Sequence, residues 1–241
     1  MPEHTLGAYF RALDEGADGL ECDVRLTRDG HLVCLHDRNL NRTSNGRGLV
    51  STKTLAELDS LNFGSWHPGY PADEEHPDLS RLLTLDTLLG ALRDCGRQVR
   101  LLIETKHPSR YGADVERKLV ETLQRHGLPN GRVHVTVMSF AALALRRIRA
   151  QAPEVATVYL LEILPPGVGR GRLPFGSRIA GPGVGLVRSR PGLVPSIKQA
   201  GHQVYVWTVN EPDDLEMVLE HRVDGVITDR PKLVIDRLGE M

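Results

Sequence analysis

The 241-residue chain is predicted to fold as an α/β protein of the TIM (β/α)8 type. Three observations predict this class. Apolar β-type runs alternate with helical patterns almost to the end of the chain, which is typical of parallel strands joined by crossover helices. The length is close to the roughly 250 residues of one such barrel. Acidic side chains also end two of the strand-like runs, at the rim where this fold builds its sites. A single domain over residues 1–241 is therefore expected.

The strand pattern predicts seven crossover-linked strands and one hairpin-like extension. The segment 32–35 follows the turn Arg28-Asp29-Gly30 so closely that it is expected to pair back on the preceding strand. Runs of apolar and β-branched residues predict strands near 19–25, 32–35, 100–104, 133–138, 155–161, 181–187, 203–208 and 223–227.

Helical patterns fill the intervals between these strands, so that the chain opens and closes on a helix. A closed eight-stranded barrel has no unpaired edges, whereas seven strands would leave two. The first strand of the barrel is therefore expected to be missing before Thr5. The predicted helices are Thr5–Glu15, Leu85–Arg93, Ala113–Arg125, Ala141–Arg149, Pro191–Gln199, Glu211–Glu220 and Pro231–Arg237.

Two irregular stretches are expected to form loops at the rim of the barrel. Residues 38–83 form a polar stretch rich in Gly, Asn, Asp and Pro, much longer than the usual connection of about 2 to 6 residues. We interpret this stretch as a small insertion that shapes the substrate pocket. Residues 164–177 carry PPGVGRGRLPFG and are interpreted as a second rim loop.

The composition excludes several classes of protein. Thirty basic and thirty-one acidic residues leave a net charge of -1, and no basic stripe is present that would bind nucleic acid. No apolar run reaches the roughly 18 residues that a membrane span requires. The chain has no charged-then-apolar signal segment, which favours a cytoplasmic location. Its three cysteines lack zinc or redox spacing and are interpreted as small hydrophobic residues.

Three acidic residues are candidate metal ligands. Glu21 and Asp23 are two residues apart in a predicted strand, so their side chains point to the same face, and Glu104 ends the next crossover-linked strand. Each lies inside an apolar run, where an unpaired carboxylate is costly, although solvated charges or helix caps are the alternative. Oxygen ligands favour Mg2+ or Ca2+, and the lack of a Cys/His cluster disfavours zinc.

Three further residues are candidates for catalysis and substrate binding. His36 ends a strand beside Asp37, an arrangement that suits a general acid or base. Lys106 shares the strand face of Glu104 and could neutralise a phosphoryl oxygen, with an ion pair to the nearby carboxylates as the alternative. Trp207 ends a late strand and could present an apolar wall to a polyol, but a strand aromatic is more often part of the core.

Six segments, in the same order along nearly the whole chain, resemble the glycerophosphodiester phosphodiesterase family. They are PEHTL (2–6), ADGLECDVRLTRDGHLVCLHD (17–37), LNRTSNGRG (40–48), LLIETK (101–106), VYVWTVN (204–210) and VDGVITDRP (223–231).

The resemblance implies a TIM barrel that binds Ca2+ or Mg2+ and cleaves deacylated phospholipids to sn-glycerol 3-phosphate and an alcohol. By position it implies that Glu21, Asp23 and Glu104 are the metal ligands, that His36 is one of two acid/base histidines, and that Lys106 and Trp207 adjoin phosphate and glycerol. It also implies attack by the glycerol 2-hydroxyl to give a cyclic phosphate, which water then opens. The family resemblance alone supplies the choice of substrate.

The family usually carries a His-Arg-Gly motif shortly before the PE-[NH]-T segment, whereas this chain starts at Met1-Pro2-Glu3. His4 is expected to lie too far along the chain to replace the histidine of that motif. Either the natural enzyme is longer, or this is a truncated and catalytically weakened phosphodiester-binding protein. A third reading is a lipid-cleaving enzyme of similar architecture, such as a phospholipase D-type toxin, although no amphipathic basic helix supports it. The sequence leaves the alcohol group, the metal and the oligomeric state open.

Overall fold

The computed structural model describes residues 1–69, 79–128 and 131–240. Its contacts divide the chain into two compact units. The first unit comprises Met1–Asp14 and Asp18–Val135, and the second comprises Glu15–Ala17 and Thr136–Met241. The expectation of one domain stays a prediction.

Strands and helices alternate along the described residues, which confirms the predicted α/β class. The hydrogen-bonded strand order is β2-β1-β3-β4-β5-β6-β7-β8, so the strands from β3 onward are added in sequence order. The strands are β1 Gly19–Leu26, β2 Leu32–Cys34, β3 Val99–Thr105, β4 Val133–Ser139, β5 Ala156–Leu161, β6 Ile179–Pro182, β7 Gln203–Val206 and β8 Gly225–Val226.

All seven predicted helices are present, with ends within two residues of the predicted ones, and the described residues contain two further short α-helices that were not predicted. Across the described ranges, none of the helices has both the length and the apolar character that crossing a membrane would require. The helices are α1 Leu6–Asp14, α2 Leu55–Asp59, α3 Leu85–Asp94, α4 Asp114–Arg125, α5 Ala142–Gln151, α6 Val184–Ser189, α7 Leu193–Gln199, α8 Pro212–Glu220 and α9 Pro231–Gly239.

The prediction of a strand over 181–187 is wrong in its second half. Strand β6 ends at Pro182, Gly183 follows in an extended conformation, and α6 begins at Val184. A short apolar run such as GVGLV has no period that separates a strand from a buried helical turn. Gly181 allows β6 to approach β5 closely, because a Cβ at this position would lie 2.7 Å from the side chain of Leu160.

The first unit contains the predicted hairpin. Strand β2 pairs antiparallel with β1, with Val24 opposite Cys34, and Gly30 in the connecting turn has a φ of 85° that suits glycine. Strand β3 pairs parallel with β1 on its other edge, with Asp23 in register with Glu104. Partners in a parallel pair project to the same face of the sheet. The register therefore places the two carboxylates side by side.

The predicted insertion carries a small hydrophobic core of its own. Helix α2 begins with a capping box formed by Thr54 and Glu57, and a 3-10 turn covers Val50–Thr52. Residues 70–78, part of the predicted insertion, lie outside the described residues. The buried side chains that pack together here are Val33, Leu35, Leu40, Val50, Leu58, Phe63 and Leu82. Because Val33 and Leu35 belong to β2 and its end, this core fixes the described insertion against the hairpin.

In the second unit, β4 to β8 pair in parallel and bury a separate aliphatic core. The side chains of α7 and α8 contribute to this core, which also includes Val204 and Val206 of β7. Strand β8 is shorter than the predicted 223–227, since only Gly225 and Val226 pair with β7.

Candidate active site

The three predicted carboxylates converge on one point of the first unit. One ligand oxygen from each of Glu21, Asp23 and Glu104 lies within 4.8 Å of those of the other two. Asp23 and Glu104 are buried, and Glu21 is half-buried. We call these three residues the acidic cluster. Their convergence follows from the pleat of β1, which puts residues 21 and 23 on one face, and from the register with β3.

Lys106 lies against this cluster. Its Nζ is 3.1 Å from Oδ1 of Asp23 and 3.0 Å from Oε1 of Glu104, and only 11% of its side chain is exposed. One ammonium group therefore faces three carboxylates. The ion pair that sequence reasoning raised as the alternative for Lys106 is present, and it leaves the cluster short of positive charge.

The shortage of positive charge is reflected in the pKa values. Burial raises the pKa of Glu21, and the charges of Asp23 and Glu104 raise it further. Burial and the charge of Asp23 raise the pKa of Glu104 to about 7. Burial opposes ionisation of Asp23 too, but the hydrogen bond from His4 and the charges of His4 and Lys106 hold its pKa well below the usual range. Asp23 is thus the carboxylate that stays ionised.

His4 is a site residue that sequence reasoning missed. Its Nε2 lies 3.0 Å from Oδ2 of Asp23, and its Nδ1 lies 2.6 Å from the hydroxyl of Tyr9. The backbone of His4 has a φ of 53°, an uncommon conformation for this residue, and it turns the ring toward β1 just before α1 begins. The available signal was the position of His4 between Glu3 and the start of a helix, which gives no indication of its contact 19 residues away.

His36 lies at the end of β2, as predicted. Its Nδ1 is 2.8 Å from Oδ1 of Asp37, and 54% of its side chain is exposed. The carbonyl oxygen of His36 accepts hydrogen bonds from Nε and Nη2 of Arg25 at 2.9 and 2.6 Å. His36 therefore contacts the carboxylate that follows it in the sequence, and its role as a general acid or base stays a prediction.

Arg42 is the second residue that was missed. It donates to Asp37 and also to both carboxylate oxygens of Glu3, at 2.6 and 2.7 Å. The structure thus pairs Glu3 with Arg42. Within LNRTSNGRG an arginine looks like an ordinary loop charge, so its two carboxylate partners follow only from tertiary structure.

Trp207 belongs to the second unit, at the end of β7. Its indole Nε1 donates to the carbonyl oxygen of Gly181 at 2.6 Å, and its ring meets Phe140 edge to face at 5.4 Å between centroids. The ring is half-buried, and 40% of Phe140 is exposed. The assignment of Trp207 to substrate binding stays a prediction.

Glu21 and Asp23 lie inside β1, which continues to Leu26 and so extends past the end that the sequence predicted, and Glu104 is the next-to-last residue of β3. A mostly parallel α/β sheet with carboxylates that converge from adjacent strands is typical of barrel enzymes that hold a hard cation. The family model described as the glycerophosphoryl diester phosphodiesterase family matches residues 1–233. The chain is 47% identical to a Mycobacterium tuberculosis protein named "Probable glycerophosphodiester phosphodiesterase 1", over 95% of this chain and 85% of that protein. It is 32% identical to a Caldanaerobacter subterraneus glycerophosphodiester phosphodiesterase, over 98% and 92%. The chain belongs to this family of phosphoric diester hydrolases.

Solved structures agree with this assignment. The glycerophosphodiester phosphodiesterase of Agrobacterium tumefaciens is 26% identical, with a TM-score of 0.75, over 98% of this chain and 94% of that one. An Oleispira antarctica phosphodiesterase, solved in complex with the product sn-glycerol-3-phosphate, shares the fold with a TM-score of 0.81 at 24% identity, over 99% and 92%. These likenesses confirm the predicted TIM-type fold class.

Proposed function

We propose that this protein hydrolyses glycerophosphodiesters to sn-glycerol 3-phosphate and an alcohol, and that the reaction depends on a divalent cation. The observation that carries the proposal is the acidic cluster, whose three ligand oxygens lie within 4.8 Å of one another in a largely buried setting. Family membership supports the substrate class, since the relatives at 47% and 32% identity carry the name glycerophosphodiester phosphodiesterase.

The acidic cluster fits a cation by its donor chemistry. All three side chains offer carboxylate oxygens, the ligands that Mg2+ and Ca2+ prefer. Glu21 and Glu104 have raised pKa values because burial and like charges disfavour their ionised forms. A bound cation would favour the ionised forms of both side chains and so lower their pKa values. We propose Glu21, Asp23 and Glu104 as the ligands, and when bound the ion would supply electrophilic stabilisation of the phosphate oxygens.

The other residues receive roles from their positions. Lys106 bridges two carboxylates through Nζ and would add a contact to a phosphate oxygen. His36 has its Nδ1 on Asp37, so the other ring nitrogen, Nε2, is the one we assign to proton transfer with the reacting oxygens. Trp207 would present its ring to the glycerol, because a half-buried aromatic at a strand end offers an apolar wall.

Release of glycerol 3-phosphate from glycerophosphocholine tests the proposal. The purified protein is assayed with Mg2+, with Ca2+ and with excess EDTA, beside an Asp23→Asn variant. A matched control is Asp18→Asn, because Asp18 precedes the same strand and its side chain is 84% exposed. We expect turnover with added metal, its loss with EDTA and with Asp23→Asn, and unchanged turnover with Asp18→Asn.

Two outcomes would contradict the proposal in different ways. Turnover that survives EDTA would remove the cation from the reaction. Thermal stabilisation by glycerophosphocholine without any release of glycerol 3-phosphate would favour a phosphodiester-binding protein instead.

A further inference from the structure

The ring of His36 is held in place by a hydrogen bond, although more than half of the side chain is exposed. Its main chain is fixed by the two hydrogen bonds that Arg25 donates to the carbonyl oxygen, and its ring by the contact of Nδ1 with Asp37. No other described residue forms a hydrogen bond to Nε2. A half-exposed histidine with a single ring contact takes its orientation from the partner of that contact. The geometry of His36 therefore depends on how firmly Asp37 is held.

Arg42 holds both oxygens of Asp37. Its Nε donates to Oδ2 at 2.7 Å, and its Nη2 donates to Oδ1 at 3.1 Å. This fork is the planar, two-point match of a guanidinium to a carboxylate. The hydrogen bond from Arg42 is the main cause that lowers the pKa of Asp37 to about 2, and His36 adds to it. Asp37 is therefore a charged acceptor with a fixed orientation.

Arg42 is itself anchored on its other side. Nη1 and Nη2 donate to the two oxygens of Glu3 at 2.6 and 2.7 Å, and the guanidinium lies 5.9 Å from the ring centroid of Trp66. We call Glu3, Arg42 and Asp37 the Arg42 clamp. It joins the segment before α1, which is 39 residues from Arg42 in the sequence, to the end of β2 and the adjoining start of the predicted insertion.

The clamp determines which nitrogen of His36 carries the proton. An ionised carboxylate can only accept a hydrogen bond, so Nδ1 of His36 must be the donor in its 2.8 Å contact with Asp37. In the neutral ring the lone pair then resides on Nε2, the nitrogen to which no described residue forms a hydrogen bond. A carboxamide in place of Asp37 would remove this constraint, because its amino group can donate to Nδ1 and favour the opposite tautomer.

We propose that Arg42 is a positioning residue for the reaction: through Asp37 it keeps Nδ1 of His36 protonated and Nε2 available for proton transfer. The inference rests on the proposed function, which gives His36 the role of acid and base. It also gives the insertion a defined task, since Arg42 belongs to the insertion and contacts the carboxylates of Asp37 and Glu3.

The tautomer of His36 can be measured directly by 15N NMR of histidine-labelled protein at a pH of about 8.5, where an ordinary histidine is neutral. We expect the Nδ1-protonated form in the wild type, a mixture in Arg42→Gln and a shift to the Nε2-protonated form in Asp37→Asn. Arg47→Gln is the matched control, because Arg47 is an exposed arginine of the same segment. An unchanged tautomer in Arg42→Gln would overturn the inference.

Steady-state kinetics with glycerophosphocholine separates positioning from folding. We expect Arg42→Gln to lower kcat by about 10- to 100-fold, the usual cost of losing a residue that orients an active-site group. KM and the melting temperature should stay near the wild type, and Arg42→Lys should recover part of kcat because it keeps the charge without the fork. A shifted tautomer with wild-type kcat would overturn the positioning role. The NMR experiment does not require turnover. An inactive protein would therefore count against the proposed function, whereas the tautomer of His36 measured by NMR would still test the positioning role of Arg42.

Discussion

Two charged networks of the first unit each join carboxylates to a basic side chain, and they reach opposite electrostatic states. In the acidic cluster, the ammonium of Lys106 pairs with two of the three carboxylates, and burial together with the charge of Asp23 raises the pKa of Glu104 to about 7. In the Arg42 clamp, two carboxylates share one guanidinium that meets each of them at two points, and Arg42 lowers the pKa of Asp37 to about 2.

This difference in charge balance distinguishes a metal-binding site from a network that orients a neighbouring side chain. A buried group of like charges with too few partners is unfavourable until a cation enters, so it favours metal binding at the expense of stability. A carboxylate whose two oxygens are both satisfied gains little from a further partner and instead fixes the geometry of its neighbours. The two networks should therefore respond in opposite ways when a carboxylate loses its charge.

Glu104→Gln should produce the largest effect. Loss of one proposed ligand should reduce turnover of glycerophosphocholine by about 10³-fold or more, because metal stabilisation of the transition state is worth several kcal/mol. The same change should stabilise the metal-free protein at pH 8 by about 1–3 kcal/mol, since it removes a carboxylate whose ionisation the fold disfavours. Activity assays and urea unfolding in EDTA measure the two effects. A variant that is both active and less stable than the wild type would contradict the proposed difference between the acidic cluster and the Arg42 clamp.

His4→Ala should weaken metal binding by about 10- to 100-fold, the usual cost of removing a group that orients a ligand. His4 donates from Nε2 to Asp23, and its Nδ1 is held by the hydroxyl of Tyr9 at 2.6 Å, so the loss of His4 leaves the carboxylate of Asp23 free to rotate. Calorimetric titration with Mg2+ or Ca2+ gives the Kd. His31→Ala is the control, because His31 is half-exposed and lies away from the cluster on the β1–β2 turn. A Kd equal to that of the wild type would show that Asp23 needs no such support.

Protons should compete with the metal at Glu104. Its pKa in the folded, metal-free protein is raised to about 7, so at pH 8 the carboxylate is mostly ionised and at pH 6 it mostly holds its proton. Metal binding must expel that proton, and the Kd should be about 10-fold weaker at pH 6 than at pH 8. Titrations in two buffers of different ionisation enthalpy would report the released proton. A Kd that is constant over this range would place the metal elsewhere.

Sequence reasoning reached the acidic cluster because its geometry is local. Glu21 and Asp23 share a strand face by the period of two, and Glu104 ends the neighbouring parallel strand, so alternation and strand order suffice to bring them together. The βα alternation likewise predicted the fold class and seven of the helices. The strand predicted over 181–187 failed because periodicity cannot resolve a short apolar run.

The same reasoning could not predict the Arg42 clamp or the contact of His4 with Asp23. Arg42 meets Glu3 across 39 residues, and His4 meets Asp23 across 19. Neither pair lies on one element or on neighbouring strands. Their contacts depend on the path of the insertion and on a left-handed backbone at His4, which no local pattern specifies.

The smallest effect concerns the stability that the clamp contributes. Because the pKa of Asp37 is lowered in the folded state, mainly by Arg42, its ionised form stabilises the protein at pH values above the unfolded pKa of about 4. That contribution is lost as the pH falls through the folded value of about 2. With 29% of the side chain exposed, solvent screening limits it to about 1 kcal/mol. Urea unfolding should find Asp37→Asn less stable than the wild type by this amount at pH 6, and the gap should narrow at about pH 2.5. A gap that stays constant would mean that the carboxamide keeps the hydrogen bonds of Asp37 and that charge adds nothing, leaving orientation as the sole contribution of Arg42.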